Sequence, residues 1–128
     1  MRAEQIERFV GLPYDPQEFD CADLAALVQR VLFGTAPSLP GRRQRMAAPS
    51  AAINRYRDEL ARRIGQAELR DGNIVVMRSE GFHVGTVFFL SGMAWVLHAS
   101  ATIGHSVLHR LADLPAFGLH IEGFYRWN

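Results

Sequence analysis

The apolar residues of this chain change their period about halfway along it. In the first half they recur at helical spacing. Residues 3–10 put Ile6, Phe9 and Val10 on one helical face, and Gly11 closes the segment. Residues 12–19 contain Pro13 and Pro16 and read as a fixed loop. Asp20 then has the character of an N-cap, with Asp23 in the first turn. A stripe of Leu24, Leu27, Val28 and Val31 follows, and Gly34 ends the helix. Pro37, Pro40 and Gly41 mark a loop. Beyond it the spacing predicts a third helix near residues 51–64, capped by Ser50 and stopped by Gly65. Ile53, Tyr56, Leu60 and Ile64 form its inward face.

After Gly72 the pattern becomes one of short β-branched or aromatic runs separated by turn residues. Residues 74–77, 84–90, 94–99, 106–109 and 121–127 are each predicted to be strands. Helices followed by strands imply an α+β fold, with N-terminal helices packed on a C-terminal antiparallel sheet of about five strands.

The 128 residues suffice for one compact domain, residues 1–128, and 48% hydrophobic against 21% charged residues suffices for one core. A net charge of +1 gives no reason to expect nucleic acid or an anionic membrane as partner. The basic cluster Arg42, Arg43 and Arg45 sits beside Pro40 and Gly41 and reads as a solvated loop. No apolar run is long enough to insert into a bilayer, and residues 1–10 lack the apolar stretch of a signal peptide. Synthesis in the cytoplasm without a signal peptide is therefore expected.

Cys21 is the one cysteine, so no internal disulfide can form. Most lone cysteines are small buried hydrophobes. This one falls in the first turn of the second predicted helix, where unpaired N–H groups and the macrodipole favour a thiolate. It also precedes Leu24 by three positions, so its sulfur is expected along the surface where helix meets sheet. His83 and His98 flank a hairpin with Ser91-Gly92 at its tip. With a two-residue loop, paired residue numbers sum to 183. His83, Gly85, His98 and Ser100 then share one face, and the two imidazoles are diagonal neighbours. A four-residue loop keeps this parity and a three-residue loop breaks it. Gly85 is expected to leave open space between the rings. Both faces of the hairpin are apolar enough that polarity does not say which meets the helix. A thiol, a histidine base and a second polar residue orienting that base form an activated nucleophile. His105, His109 and His120 have no evident partner and read as surface or satisfied residues. No metal-ligand spacing links Cys21 with the histidines, and no cofactor is expected.

At these points the chain resembles the NlpC-type cysteine peptidases. The likeness is carried by Gly11-Leu12-Pro13-Tyr14, Phe19-Asp20-Cys21, Asp71-Gly72-Asn73-Ile74-Val75-Val76, His83-Val84-Gly85 and Leu97-His98-Ala99. The resemblance implies a papain-like fold with Cys21 as nucleophile, His83 as base and His98 as the residue orienting it. It implies hydrolysis of peptide bonds in bacterial peptidoglycan stem peptides, commonly between D-glutamate and a diamino acid. Tyr14 matches an aromatic residue that lines the site and assists the oxyanion, and Asp20 an acid associated with substrate amine recognition. Two stretches depart from the family pattern. Ala22-Asp23 stands where Ser-Gly is usual, and Asp15-Pro16-Gln17 where Trp-Gly-Gly is common. Compact length and the lack of an export signal are similar to members carried by phage tails, which would make other tail proteins partners and deliver the enzyme to the cell wall with the particle or on lysis. Two alternatives stand beside this expectation: a tail structural or assembly protein with weak or no activity, and a thiol acyltransferase or amidase.

Overall fold

The structure, a computed structural model, describes residues 1–35, 37, 59–79 and 81–128. The described elements are a short helix α1 (Ala3–Glu7), a longer helix α2 (Cys21–Phe33), and six strands. The strands are β1 (Ala61–Ile64), β2 (Ile74–Arg78), β3 (Phe82–Leu90), β4 (Met93–Ala99), β5 (Ser106–Arg110) and β6 (His120–Trp127). They form one sheet in the order β1-β6-β2-β3-β4-β5, with every neighbouring pair antiparallel. The class is α+β, as the order of patterns along the sequence implies.

The start of α2 is fixed by reciprocal capping. Asp20 Oδ1 accepts from the N–H groups of Ala22 and Asp23, while Asp23 Oδ2 accepts from Asp20 N at 2.9 Å. Gly34 ends the helix in the left-handed conformation, φ 71°. Leu24, Ala25 and Val28 are buried against the sheet, and Leu27 is partly buried. Val31, expected in the same stripe, is 44% exposed, and Leu32 and Phe33 beside it pack on the helix-side core instead. A similar correction applies to the first helix. Ile6 and Phe9 are buried, but α1 ends at Glu7 and the turn after it leaves Val10 exposed.

The third predicted helix needs the largest correction. Positions 50–58, with Ser50, Ile53 and Tyr56, lie outside the described residues, as does the arginine cluster. Glu59 and Leu60 are helical, but residues 61–64 are strand β1, paired Ala61 to Trp127 and Ile64 to Phe124. Arg62 and Arg63, which resemble the outer face of a helix, are the exposed residues of this edge strand. The sheet therefore has six strands rather than five.

Alternation along the strands gives the sheet two apolar faces. One face, with Phe88, Leu97 and Ala99, packs on Ile6, Phe9, Leu24 and Val28, and continues through Ile74, Val76 and Val84 to Ala25. The other, with Val75, Met77, Val87 and Val96, is covered by Leu111 and Leu114 of the 3-10 segment Leu111–Phe117.

Candidate active site

The β3–β4 hairpin has the predicted register. Leu90 pairs with Met93 and Thr86 with Leu97, so paired numbers sum to 183. Ser91 takes φ 51° and Gly92 φ 77°, the left-handed pair that a two-residue loop of this twist requires. His83 pairs with Met77 on β2, which sets its side chain on the Met77 and Val96 face, away from α2. His98 follows by alternation from Leu97. The face left open by the sequence is thus settled: the histidines lie opposite the helix.

The two rings meet directly. His83 Nε2 and His98 Nδ1 are 2.8 Å apart, with ring planes near perpendicular at 85°. His98 is 1% exposed and His83 partly buried. Burial away from water disfavours the charged imidazole and lowers His83 from 6.5 to about 4. The same desolvation lowers His98 to about 3, with repulsion from His83 and His109 adding to it. Both rings are neutral at pH 7, the state in which one nitrogen donates and the other accepts.

A third histidine extends the row. His109 on β5 pairs with Val96 and so shares the face. Its Nδ1 lies 3.1 Å from His98 Nε2, and its ring stacks on Phe117 at 4.0 Å, 6° from parallel. By sequence alone His109 reads as unpartnered, and the structure corrects this. His105 and His120 are exposed, as expected of surface residues. The signal for His109 was its parity with Val96, but the β4–β5 register cannot be counted from a tight turn as that of β3–β4 can.

Gly85 also differs from expectation. A Cβ there would lie 2.5 Å from Val96 Cγ1 and 3.2 Å from Met77 Cε and from the Leu97 carbonyl oxygen. The space beside the glycine is filled by neighbours and is not open between the rings.

Cys21 is partly buried at the first turn of α2 and packs against both helix-side clusters. It lines a cavity of about 370 Å³ together with Tyr14, His83, His98 and His109. The cavity lies at the open end of the β3–β4 hairpin, away from the Ser91-Gly92 tip, with Phe82 and residues 99–103 completing its wall. Among the described residues its lining holds no Asp, Glu, Lys or Arg. Four of the five residues singled out in the sequence thus share one cavity. The fifth, Asp20, is not in the lining and uses Oδ1 to cap α2.

Tyr14 is held in place by the loop before α2. Ser106, fully buried on β5, donates through Oγ to the Phe9 carbonyl at 2.5 Å and accepts from Leu12 N at 2.8 Å. Backbone bonds from Gly11 N to Ser106 O, Ser106 N to Leu12 O and Tyr14 N to Gly104 O continue the seam. The departing stretch Asp15-Pro16-Gln17 forms its own turn. Asp15 exchanges two backbone bonds with Phe19, and its carboxylate accepts from Gln17 and Glu18. That turn brings the chain from Tyr14 directly back to Asp20 and Cys21.

Among the described residues, no group of three or more His, Cys, Asp or Glu side chains could hold a metal ion. The histidines bond to each other in a row instead of converging on a point. No described helix is long and apolar enough to cross a membrane. In comparisons with known proteins, no family model and no curated protein matches the chain.

Proposed function

We propose that this chain is a papain-like cysteine hydrolase of the NlpC type that cleaves peptide bonds in bacterial cell-wall stem peptides. The observation that carries the reading is the 2.8 Å contact of His83 Nε2 with His98 Nδ1 in a cavity that Cys21 also lines. With Nε2 engaged, His83 has Nδ1 left for the thiol. His83 Nδ1 takes the Cys21 proton, and Sγ attacks the scissile carbonyl carbon to give a tetrahedral oxyanion, which the Tyr14 hydroxyl assists. Collapse breaks the C–N bond, and the proton on His83 passes to the leaving amine. Water then attacks the thioester, giving one proton to His83 Nδ1, and the acid leaves as Sγ is released. His98 keeps the base in the right tautomer throughout.

Purified muropeptides incubated with the protein and weighed by mass spectrometry test the assignment. Cleavage between D-glutamate and the diamino acid, with one new amine per cut, is the expected outcome. New reducing sugar ends without new amines would refute it.

The cavity wall favours one second reading. Ile103 is 44% and Phe117 56% exposed, and both line the cavity, whose described lining has no ionised acid or base. Such a wall suits an apolar acyl group, and so a thiol acyltransferase or amidase. Transfer of an acyl group from an acyl thioester to an amine, without cleavage of stem peptides, would select this reading. A Cys21 that resists alkylation in the folded protein would favour a structural role in a phage tail over both.

A further inference from the structure

The His83–His98–His109 row extends one ring beyond what a nucleophile, a base and an orienting residue require. Its two contacts, 2.8 Å and 3.1 Å, join nitrogens of three rings on adjacent strands. A neutral imidazole carries one N–H, so each contact must be filled by one proton from one side. His98 is in both contacts and has one proton for them. If that proton is on Nε2, His98 donates to His109 Nδ1, and its own Nδ1 must accept from His83 Nε2–H. If it is on Nδ1, His98 donates to His83 Nε2, and His109 must donate from Nδ1. The row therefore has one of two directions, and its three tautomers are set together.

Only one direction serves the chemistry. With His83 protonated on Nε2, its Nδ1 lone pair is bare and can take the thiol proton. With the row reversed, His83 carries its proton on Nδ1 and cannot act as a base toward Cys21. We propose that His109 is a positioning residue whose Nδ1 accepts from His98 Nε2–H, and so keeps His83 Nδ1 unprotonated; this rests on the reading of Cys21 and His83 as nucleophile and base.

The surroundings of His109 fit that task. Phe117 lies flat on its ring and fixes the ring plane, so Nδ1 is held toward His98. Desolvation lowers His109 and keeps it neutral, opposed by the nearby carboxylate of Asp113, which is itself engaged by Arg110 Nε at 2.7 Å. A neutral ring can accept on Nδ1, whereas a charged one could only donate.

The test uses the full chain with 15N-labelled imidazoles, comparing wild type with His109→Phe and His109→Asn. His109→Phe keeps an aromatic ring against Phe117 but removes the acceptor. His109→Asn loses the ring, but its Oδ1 can accept where Nδ1 did. Long-range 1H–15N spectra report which nitrogen of each ring is protonated. His83 and His98 should both be Nε2–H tautomers in the wild type and in His109→Asn, and mixed in His109→Phe. For stem-peptide cleavage, kcat of His109→Phe should fall on the order of tenfold with KM unchanged, and His109→Asn should recover most of that loss. An Nδ1–H His98 in the wild type would overturn the proposal. Unchanged tautomers in His109→Phe, or in His109→Leu if the first variant does not fold, would do the same. The spectra need no substrate, so they decide the role of His109 even if no stem peptide is cleaved, and that second result would count against the proposed function alone.

Discussion

The two faces of the sheet are built by the same alternation, and they differ at one end. On the helix side Val84, Phe88, Leu97 and Ala99 pack in the apolar clusters that α1 and α2 cover. On the far side Val75, Met77, Val87 and Val96 do the same under Leu111 and Leu114, but the row then runs out into three imidazoles. An uncharged aliphatic layer is stable at any pH. A layer ending in buried histidines is stable only while they remain neutral. The contrast shows how a small domain can place titratable groups at low polarity: they lie at the rim of a complete core, and the most buried ring, His98, has both nitrogens satisfied by its neighbours.

The largest expected effect breaks only the histidine face. His83→Ala should lower kcat by about 10²–10⁴-fold, the usual worth of a general base, while the thermal midpoint stays near that of the wild type. A fully active His83→Ala protein would overturn the mechanism. His98→Asn sharpens the same point, since Oδ1 of asparagine stands close to the position of Nδ1, the atom His83 contacts. It should keep more activity than His98→Ala.

The complementary break is in the helix face. Leu24 is 1% exposed in the core beneath α2, so Leu24→Ala should cost about 2–5 kcal/mol in denaturant unfolding. Because Cys21 packs in the same cluster, the fraction that stays folded should lose some kcat as well.

Acid separates the faces without a mutation. His83 and His98 ionise at about 4 and about 3 when folded, below the 6.5 of a free histidine. Their contribution is complete above pH 6.5 and is lost as pH falls from 6.5 toward those values. The loss should grow steadily as pH falls through that window, because the unfolded chain binds protons there that the folded one does not. Thermal melts from pH 7 to pH 4 should show the decline, and a His98→Phe variant should show less of it. An identical slope in that variant would mean that other groups carry the acid sensitivity.

The smallest effect lies where the two faces meet the hairpin. Gly85→Ala pushes a methyl group against Val96 and Met77 and should cost about 1–3 kcal/mol, measured by denaturant titration. It should also lengthen the His83–His98 contact and reduce turnover. A neutral substitution would show that β3 and β4 can part locally at little cost.

How much of this was legible depended on how local each signal is. The hairpin was readable because a two-residue turn fixes a register by counting, and with it the meeting of His83 and His98. The cap of α2 was readable because Asp20 and Asp23 lie within one turn. Strand β1 was not, because Arg62 and Arg63 on an edge strand are as exposed as on the outside of a helix, and only pairing with β6 distinguishes them. His109 escaped for the same reason, since its partner is fixed by the β4–β5 register. The filled space at Gly85 depends on side chains from β2 and β4, which no local pattern contains.

The seam at Ser106 has a consequence for how the molecule comes into being. Its side chain joins β5 to Phe9 and Leu12 across 94 to 97 positions of sequence, and Tyr14 N donates to Gly104 O just beyond that seam. Closure over so long a separation is slow compared with forming a helix. During synthesis α2 and its thiol leave the ribosome long before β5 exists to receive the first loop. Cys21 is therefore made early and its pocket completed late, and a chain interrupted before residue 106 carries Cys21 without the seam that anchors the loop bearing Tyr14.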